Sequence, residues 1–330
     1  MKGLVVKIIH LTYPVSENVI SSKTILALGF FDGVHLGHQR LINKAKEIAD
    51  QKRLPLVVLT FDRHPKEIYA DKKDFKYLKT LDEKADKMAE LGVDYLAVMP
   101  FTKKFSEIDA QSFVDNVIIK LNADTVVAGF DYTYGPKETA NMKNLPKFAK
   151  GRFEIVVMPK QIFNGKKIGS TEIRQAIREG KMDLAFQLMG HHYVMSGTVG
   201  HGKRNGHKLG FPTANLVWAS HKVIPKIGVY ATKTQVNGKW YESMTSVGYN
   251  VTIGQPEKIF IESHIFDFKE DIYDQPIKIK WYKYTRGEIK FSGLDELKKQ
   301  LEKDQIEIKH YFAQEAQCIT KKPKNLEKSN

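Results

Sequence analysis

The feature that most constrains this 330-residue chain is a change of texture near Gly190. Before it, short apolar and β-branched runs alternate with amphipathic stretches. After it, strand-like runs alternate with turns. In the first part, residues 25–30, 56–61, 95–100, 125–129 and 154–158 are apolar enough to be buried on both faces of a sheet. Residues 37–51, 81–91 and 108–120 between them carry apolar positions at helical spacing. A helix between successive strands lets them pair in parallel, so the pattern predicts an α/β domain built on an open, Rossmann-like parallel sheet. Helices near 171–179 and 182–189 lead to a boundary within 184–192. Beyond it, runs at 193–199, 227–236, 239–247, 258–266 and 277–284, with turns such as Asn237-Gly238, predict a small antiparallel β-barrel. An amphipathic stretch at 294–312 predicts a terminal helix packed on that barrel. The expected division is 1–187, 188–316 and a basic, disordered tail at 317–330 carrying Lys321, Lys322, Lys324 and Lys328.

Charge narrows the partners. Lys and Arg number 52 against 38 Asp and Glu, a net +14, which suits anionic partners such as nucleic acid or phosphorylated small molecules. The excess divides evenly about residue 190, so neither half is a dedicated basic arm. No apolar run reaches the ~18 residues of a membrane span. Lys7 and His10 interrupt any signal-peptide core, and the single cysteine, Cys318, can form no internal disulfide. These features predict a cytoplasmic protein with no membrane partner, a monomer or weak oligomer.

The segment Gly29-Phe30-Phe31-Asp32-Gly33-Val34-His35-Leu36-Gly37-His38 follows a predicted strand and opens a predicted helix. A helix N-terminus offers unpaired N–H groups and partial positive charge, the glycines allow close approach of a phosphate, and His35 and His38 are spaced to face one ligand. This string resembles the His-x-Gly-His signature of the nucleotidyltransferases and, over its full length, the N-terminal module of bacterial bifunctional riboflavin kinase/FAD synthetases. The likeness continues in Thr60-Phe61-Asp62-Arg63-His64-Pro65, in Gly129-Phe130-Asp131-Tyr132-Thr133-Tyr134-Gly135 and in Ser170-Thr171-Glu172-Ile173-Arg174. It implies transfer of AMP from ATP to FMN, giving FAD and pyrophosphate. His35, His38 and Arg174 would be catalytic, Gly29, Phe30, Asp32, Gly33, Gly37, Ser170 and Thr171 would bind ATP, and Asp62, His64 and Asp131 would bind flavin. An FMN phosphate is already an anionic nucleophile, so such a site needs positioning and charge neutralisation more than a base. The chain departs from the family in Arg63 for a usual Pro, in Gly169 for a usual Ser and in a glycine-free loop at 136–141.

The second constellation is Gly200-His201-Gly202-Lys203-Arg204-Asn205-Gly206-His207-Lys208-Leu209-Gly210, followed by Phe211-Pro212-Thr213-Ala214-Asn215. A basic, glycine-rich flap over phosphates and an ordinary hairpin turn are equally good readings of the first part alone. Gly-Phe-Pro-Thr-Ala-Asn, however, resembles the nucleotide-binding motif of riboflavin kinases, and Ile261-Glu262-Ser263-His264-Ile265-Phe266-Asp267-Phe268 resembles the strand bearing their catalytic glutamate. The likeness implies that Glu262 accepts the proton of the riboflavin 5′-hydroxyl, a poor nucleophile without a base. It also implies that Thr213 and Asn215 hold Mg²⁺, that Gly200, Gly202, Lys203, Gly206, Lys208, Gly210 and Pro212 bind ATP, and that Arg286 binds flavin. His207 stands for a usual Arg and Val251 for a usual Pro. The expected function is conversion of riboflavin to FMN and of FMN to FAD. The alternatives are a FAD synthetase with an inactive or flavin-binding barrel and a basic nucleic-acid-binding or flavin-binding regulator.

Overall fold

The computed structural model describes residues 5–69, 75–163, 165–201, 210–250 and 258–320. They form two compact units, one spanning Met1–Ile173 with Leu188–Gly190, the other Arg174–Gln187 with His191–Asn330. Residues 174–187 group with the barrel, where the Lys226 amide donates to the Ile177 carbonyl at 3.2 Å and Phe186 stacks on His192.

In the first unit the apolar runs are strands β1 (Lys7–His10), β2 (Thr24–Leu28), β3 (Leu56–Phe61), β4 (Tyr95–Met99), β5 (Ala123–Gly129) and β6 (Glu154–Met158). All pair in parallel, in the order β1-β4-β3-β2-β5-β6. Helices α1 (Leu36–Lys52), α2 (Pro65–Tyr69), α3 (Leu81–Glu90), α4 (Lys103–Ser106), α5 (Ala110–Phe113) and α6 (Leu145–Ala149) connect them. Alternation along β2 explains its complete burial. Ile25 and Ala27 enter the core that α1 and α3 cover with Leu41, Ile42, Ala45 and Met88, while Leu26 and Leu28 enter the opposite core with Phe113, Val114 and Val117. The order reverses at β2, with β3 and β4 on one side and β5 and β6 on the other. A parallel sheet of this kind binds ligands beyond the strand carboxyl ends at that reversal.

Three details differ from expectation. The helix expected at 108–120 is α5 followed by a π-helical turn at Val114–Ile118. β1 was not anticipated, because this short edge strand is polar at both ends. A small hairpin, β7 (Ile162–Phe163) and β8 (Lys166–Lys167), precedes α7 (Ser170–Arg178) and α8 (Met182–Met189).

The second unit is a closed antiparallel barrel of β9 (Tyr193–Gly200), β10 (Ala214–Trp218), β11 (Gly228–Val236), β12 (Lys239–Asn250), β13 (Lys258–Ile265) and β14 (Pro276–Arg286), ordered β10-β13-β12-β11-β14-β9. β10 escaped the sequence reading because it is short and holds Asn215, a poor strand former. Helix α9 (Leu294–Thr320) lays Ile308 and Phe312 onto Phe211, Met244, Phe266 and Tyr282 of the barrel. It runs past the expected end at 312 and into the segment expected to be disordered, of which 321–330 lie outside the described residues.

The barrel interior holds an unusual polar cluster. The hydroxyls of Thr232, Ser243, Thr234, Ser263 and Thr245 form a closed cycle of hydrogen bonds 2.7–3.0 Å long, and all five residues are fully buried. Each hydroxyl has two hydroxyl neighbours in the cycle, so the cluster satisfies itself without water.

Candidate active sites

The turn between β2 and α1 adopts a conformation that a free peptide avoids. Phe31 (φ 56°) and Val34 (φ 43°) are left-handed although neither is glycine, each costing ~1–3 kcal/mol, and Gly33 (φ 79°) lies between them. Asp32 holds this turn in place. It is 2% exposed, its carboxylate accepts the Leu78 and Lys79 amides at 3.0 and 3.3 Å, and its carbonyl accepts the Ser170 hydroxyl at 2.9 Å. The Asp32 side chain therefore faces the protein and fixes the turn. Close packing also explains two glycines. A Cβ at Gly29 would lie 2.7 Å from the Phe31 ring and one at Gly37 3.2 Å from the His35 ring.

His35 is the N-cap of α1, its Nδ1 accepting the His38 amide at 3.3 Å, which leaves the ring hydrogen on Nε2. Its ring stacks on His38 at 3.6 Å, so the two imidazoles form one unit at the helix N-terminus. Ser170, tied to the Asp32 carbonyl, brings the N-terminus of α7 to the same turn. Thr171 is exposed in that first turn, and Arg174 follows one turn further along, within the second compact unit.

Beside the turn, the carboxyl end of β3 carries an aromatic cluster. The His64 ring stacks on Phe75 at 4.4 Å and meets the Phe30 edge at 4.8 Å, while the His64 amide donates to the Tyr77 hydroxyl at 2.8 Å. Asp62 accepts the Phe101 amide at 2.8 Å and pairs with Arg63, and so shapes the same strand end. Asp131 is exposed beyond β5. The following loop lacks glycines but is knit by Asn141 and Asn144, whose amides donate to the carbonyls of Lys137, Glu138 and Thr139.

Sequence reading missed Lys84, Phe75 and Tyr77. Lys84 is 4% exposed on α3; its ammonium donates to the Phe30 carbonyl at 2.8 Å and to Thr60 Oγ1 at 3.0 Å and lies 4.4 Å from the Phe30 ring centroid. Burial pulls its pKa down to about 8 against the attraction of Asp32. A signal was present, because Lys84 occupies the apolar face defined by Leu81, Ala85 and Met88.

In the barrel, strand register places Gly200, Asn215 and Glu262 on one rung, directly opposite one another across β9, β10 and β13. Burial pushes the Glu262 carboxyl up, and a hydrogen bond with Thr213 partly opposes that. His264, two residues on, holds the Thr213 segment: its Nδ1 donates to the Pro212 carbonyl at 2.8 Å, and burial keeps the ring neutral by lowering its pKa. Pro212, Thr213, Ala214 and Ser263, with Val199 and residues 268–273, line a cavity of about 450 Å³. Gly210 (φ 79°) turns the chain into this segment. Gly202, Lys203, Gly206 and Lys208, together with His207 and Val251, lie outside the described residues.

Arg286, expected at the flavin, is committed elsewhere. Its guanidinium grips Asp304 of α9 through contacts of 2.6–3.0 Å and donates to the Gly287 carbonyl, and Asp304 is 1% exposed. These contacts tie the terminal helix to the barrel.

Comparison with known proteins gives two family matches, FAD synthetase over residues 17–172 and riboflavin kinase over residues 189–312. The chain is 47% identical over 309 residues to a bifunctional riboflavin kinase/FMN adenylyltransferase of Listeria monocytogenes, covering 93% of this chain and 98% of that protein. It is 41% identical to the Bacillus subtilis protein of the same name, with the same coverage. A crystal structure from Streptococcus pneumoniae, named as a macrolide-efflux protein, superimposes with a TM-score of 0.83 at 34% identity, covering 91% of this chain and 98% of that one. Efflux is said of that protein alone, and among the described residues of this chain no helix is long and apolar enough to cross a membrane.

Proposed function

Because this chain belongs to the bifunctional riboflavin kinase/FMN adenylyltransferase family, phosphorylating riboflavin to FMN and adenylylating FMN to FAD, we propose that the two reactions run at the two sites described above. Adenylylation is assigned to the β2–α1 turn. An FMN phosphate oxygen attacks the α-phosphorus of ATP, the bond to the bridging oxygen breaks, and pyrophosphate leaves with the electron pair. His35, through Nε2–H, and His38 donate to phosphate oxygens as charge moves onto the leaving group, while Ser170 and Thr171 hold the pyrophosphate side. The flavin ring is received by Phe30, His64, Phe75 and Tyr77, with Asp62 and Asp131 at its borders.

Phosphorylation is assigned to the Asn215–Glu262 rung. Glu262 takes the 5′-hydroxyl proton as the oxygen attacks the γ-phosphorus, and ADP leaves. The hydroxyl of Thr213 and the amide oxygen of Asn215, the one hydrogen-bonded to Glu262 and the other on the strand position opposite it, are hard neutral oxygen donors of the kind that suits Mg²⁺. Bound there with ATP, the ion would neutralise phosphate charge. Among the described residues no group of three or more His, Cys, Asp or Glu could hold a metal, so the fit rests on neutral oxygens and the nucleotide itself. The 450 Å³ cavity beside Thr213 takes the nucleotide. The even division of charge about residue 190 supports the reading that nucleic acid is not a partner.

The observation that carries the assignment is that the paired histidines and the buried glutamate belong to different compact units. Product analysis with riboflavin, ATP and Mg²⁺ tests it. His38→Ala should accumulate FMN and make at least a hundredfold less FAD. Equal loss of both products in a folded protein would refute separate sites.

A further inference from the structure

The buried lysine of α3 has no part in either reaction as written, yet it sits directly behind the adenylylation turn. Its ammonium and the Thr60 hydroxyl both donate to the Phe30 carbonyl, each at 2.8 Å, and are 3.0 Å from each other, so three groups close a triangle under the turn. A trans peptide directs its C=O and the following N–H to opposite sides. With the Phe30 carbonyl drawn inward by two donors, the Phe31 N–H is turned away from Lys84. Phe31 is itself left-handed (φ 56°), a conformation that needs such outside support.

We propose that Lys84 is a positioning residue for adenylylation: with Thr60 it locks the Phe30–Phe31 peptide so that the Phe31 N–H is presented to a nucleotide phosphate, and its buried charge adds attraction for that anion. The inference rests on the assignment of ATP to this turn. It accounts for a buried cation on an otherwise apolar helix face, where methionine would pack more cheaply. Asp32, which fixes the other half of the turn through Leu78 and Lys79, is the ionised group whose charge acts on Lys84.

The test is steady-state FAD synthesis by the full chain, with ATP and FMN varied separately. Lys84→Met should raise the KM for ATP roughly tenfold, leave the KM for FMN within twofold and leave riboflavin phosphorylation unchanged. Thr60→Val keeps the side-chain shape and one donor to Phe30, and should shift the KM for ATP in the same direction by a smaller factor. It carries the test if Lys84→Met does not fold. Parallel changes in both KM values, or an unchanged KM for ATP in folded variants, would overturn the proposal. His38→Ala run alongside separates the failures. If it abolishes FAD synthesis while the Lys84 and Thr60 variants bind ATP normally, only the lysine's role is wrong. If it too leaves synthesis intact, ATP does not use this turn and both readings fall.

Discussion

Replacing Asp304 by alanine tests whether Arg286 is a helix clamp or a flavin ligand. Asp304 is 1% exposed and accepts three contacts from Arg286 and one from Gln300, while the Arg286 side chain is only 17% exposed. Removing the carboxylate leaves a largely buried guanidinium with the Gly287 carbonyl as its remaining partner. Breaking one side of such a pair costs about 3–5 kcal/mol, against a typical domain stability of ~5–15 kcal/mol. For a unit of this size, that corresponds to a fall in melting temperature of roughly 10–20 °C. Thermal unfolding of the full chain, followed by circular dichroism and by loss of kinase activity on stepwise heating, reads it directly. The double variant Arg286→Met with Asp304→Leu should recover most of the loss, because apolar residues of similar volume replace the pair without an orphaned charge. A shift below about 2 °C for Asp304→Ala, together with lost riboflavin affinity in an undestabilised Arg286→Met, would refute the clamp and return Arg286 to the flavin.

Two further outcomes follow from the sites. Glu262→Gln should stop FMN formation through kcat and spare adenylylation of supplied FMN. Because burial raises the Glu262 pKa, wild-type kinase turnover should fall with decreasing pH earlier than an ordinary carboxylate would dictate. Thr213→Val, which removes the opposing hydrogen bond, should move that limb to higher pH in the turnover that remains; near-normal turnover in Glu262→Gln would exclude Glu262 as the base. Phe75→Ala should raise the KM for FMN in FAD synthesis about three- to tenfold, with the KM for ATP unchanged, since it removes one face of the His64 stack; an unchanged KM for FMN would exclude that cluster as the flavin platform.

What the sequence made legible was whatever repeats along the chain. Apolar runs such as 25–30 and 56–61 declare a two-sided buried strand by composition alone, and a glycine-histidine string at a strand end declares a phosphate turn. Elements that depend on a distant partner were hidden. β1 becomes a strand because β4 offers it an edge, and β10 because β9 and β13 flank it. The same limit applies to residues: Lys84 meets Phe30 across 54 positions, and Arg286 finds Asp304 across 18, pairings that no local pattern specifies. That the Asp32 carboxylate points inward shows only in its contact with Leu78, 46 positions away. The basic flap at 202–209 lies outside the described residues, so its phosphate role rests on the motif.

The hydroxyl cycle inside the barrel constrains how this half of the protein can drift. Changing any one of Thr232, Thr234, Ser243, Thr245 or Ser263 to an apolar residue takes one of two hydroxyl partners from each of two buried neighbours at a stroke. Exchange of Ser for Thr keeps the cycle but must find room for a methyl group. Substitution here should therefore occur in concert, several positions turning apolar together, or scarcely at all. Ser263 joins this block to the cavity beside Thr213 and adjoins Glu262, so a lineage that rebuilt the interior would have to reseat the Glu262 strand in the same step.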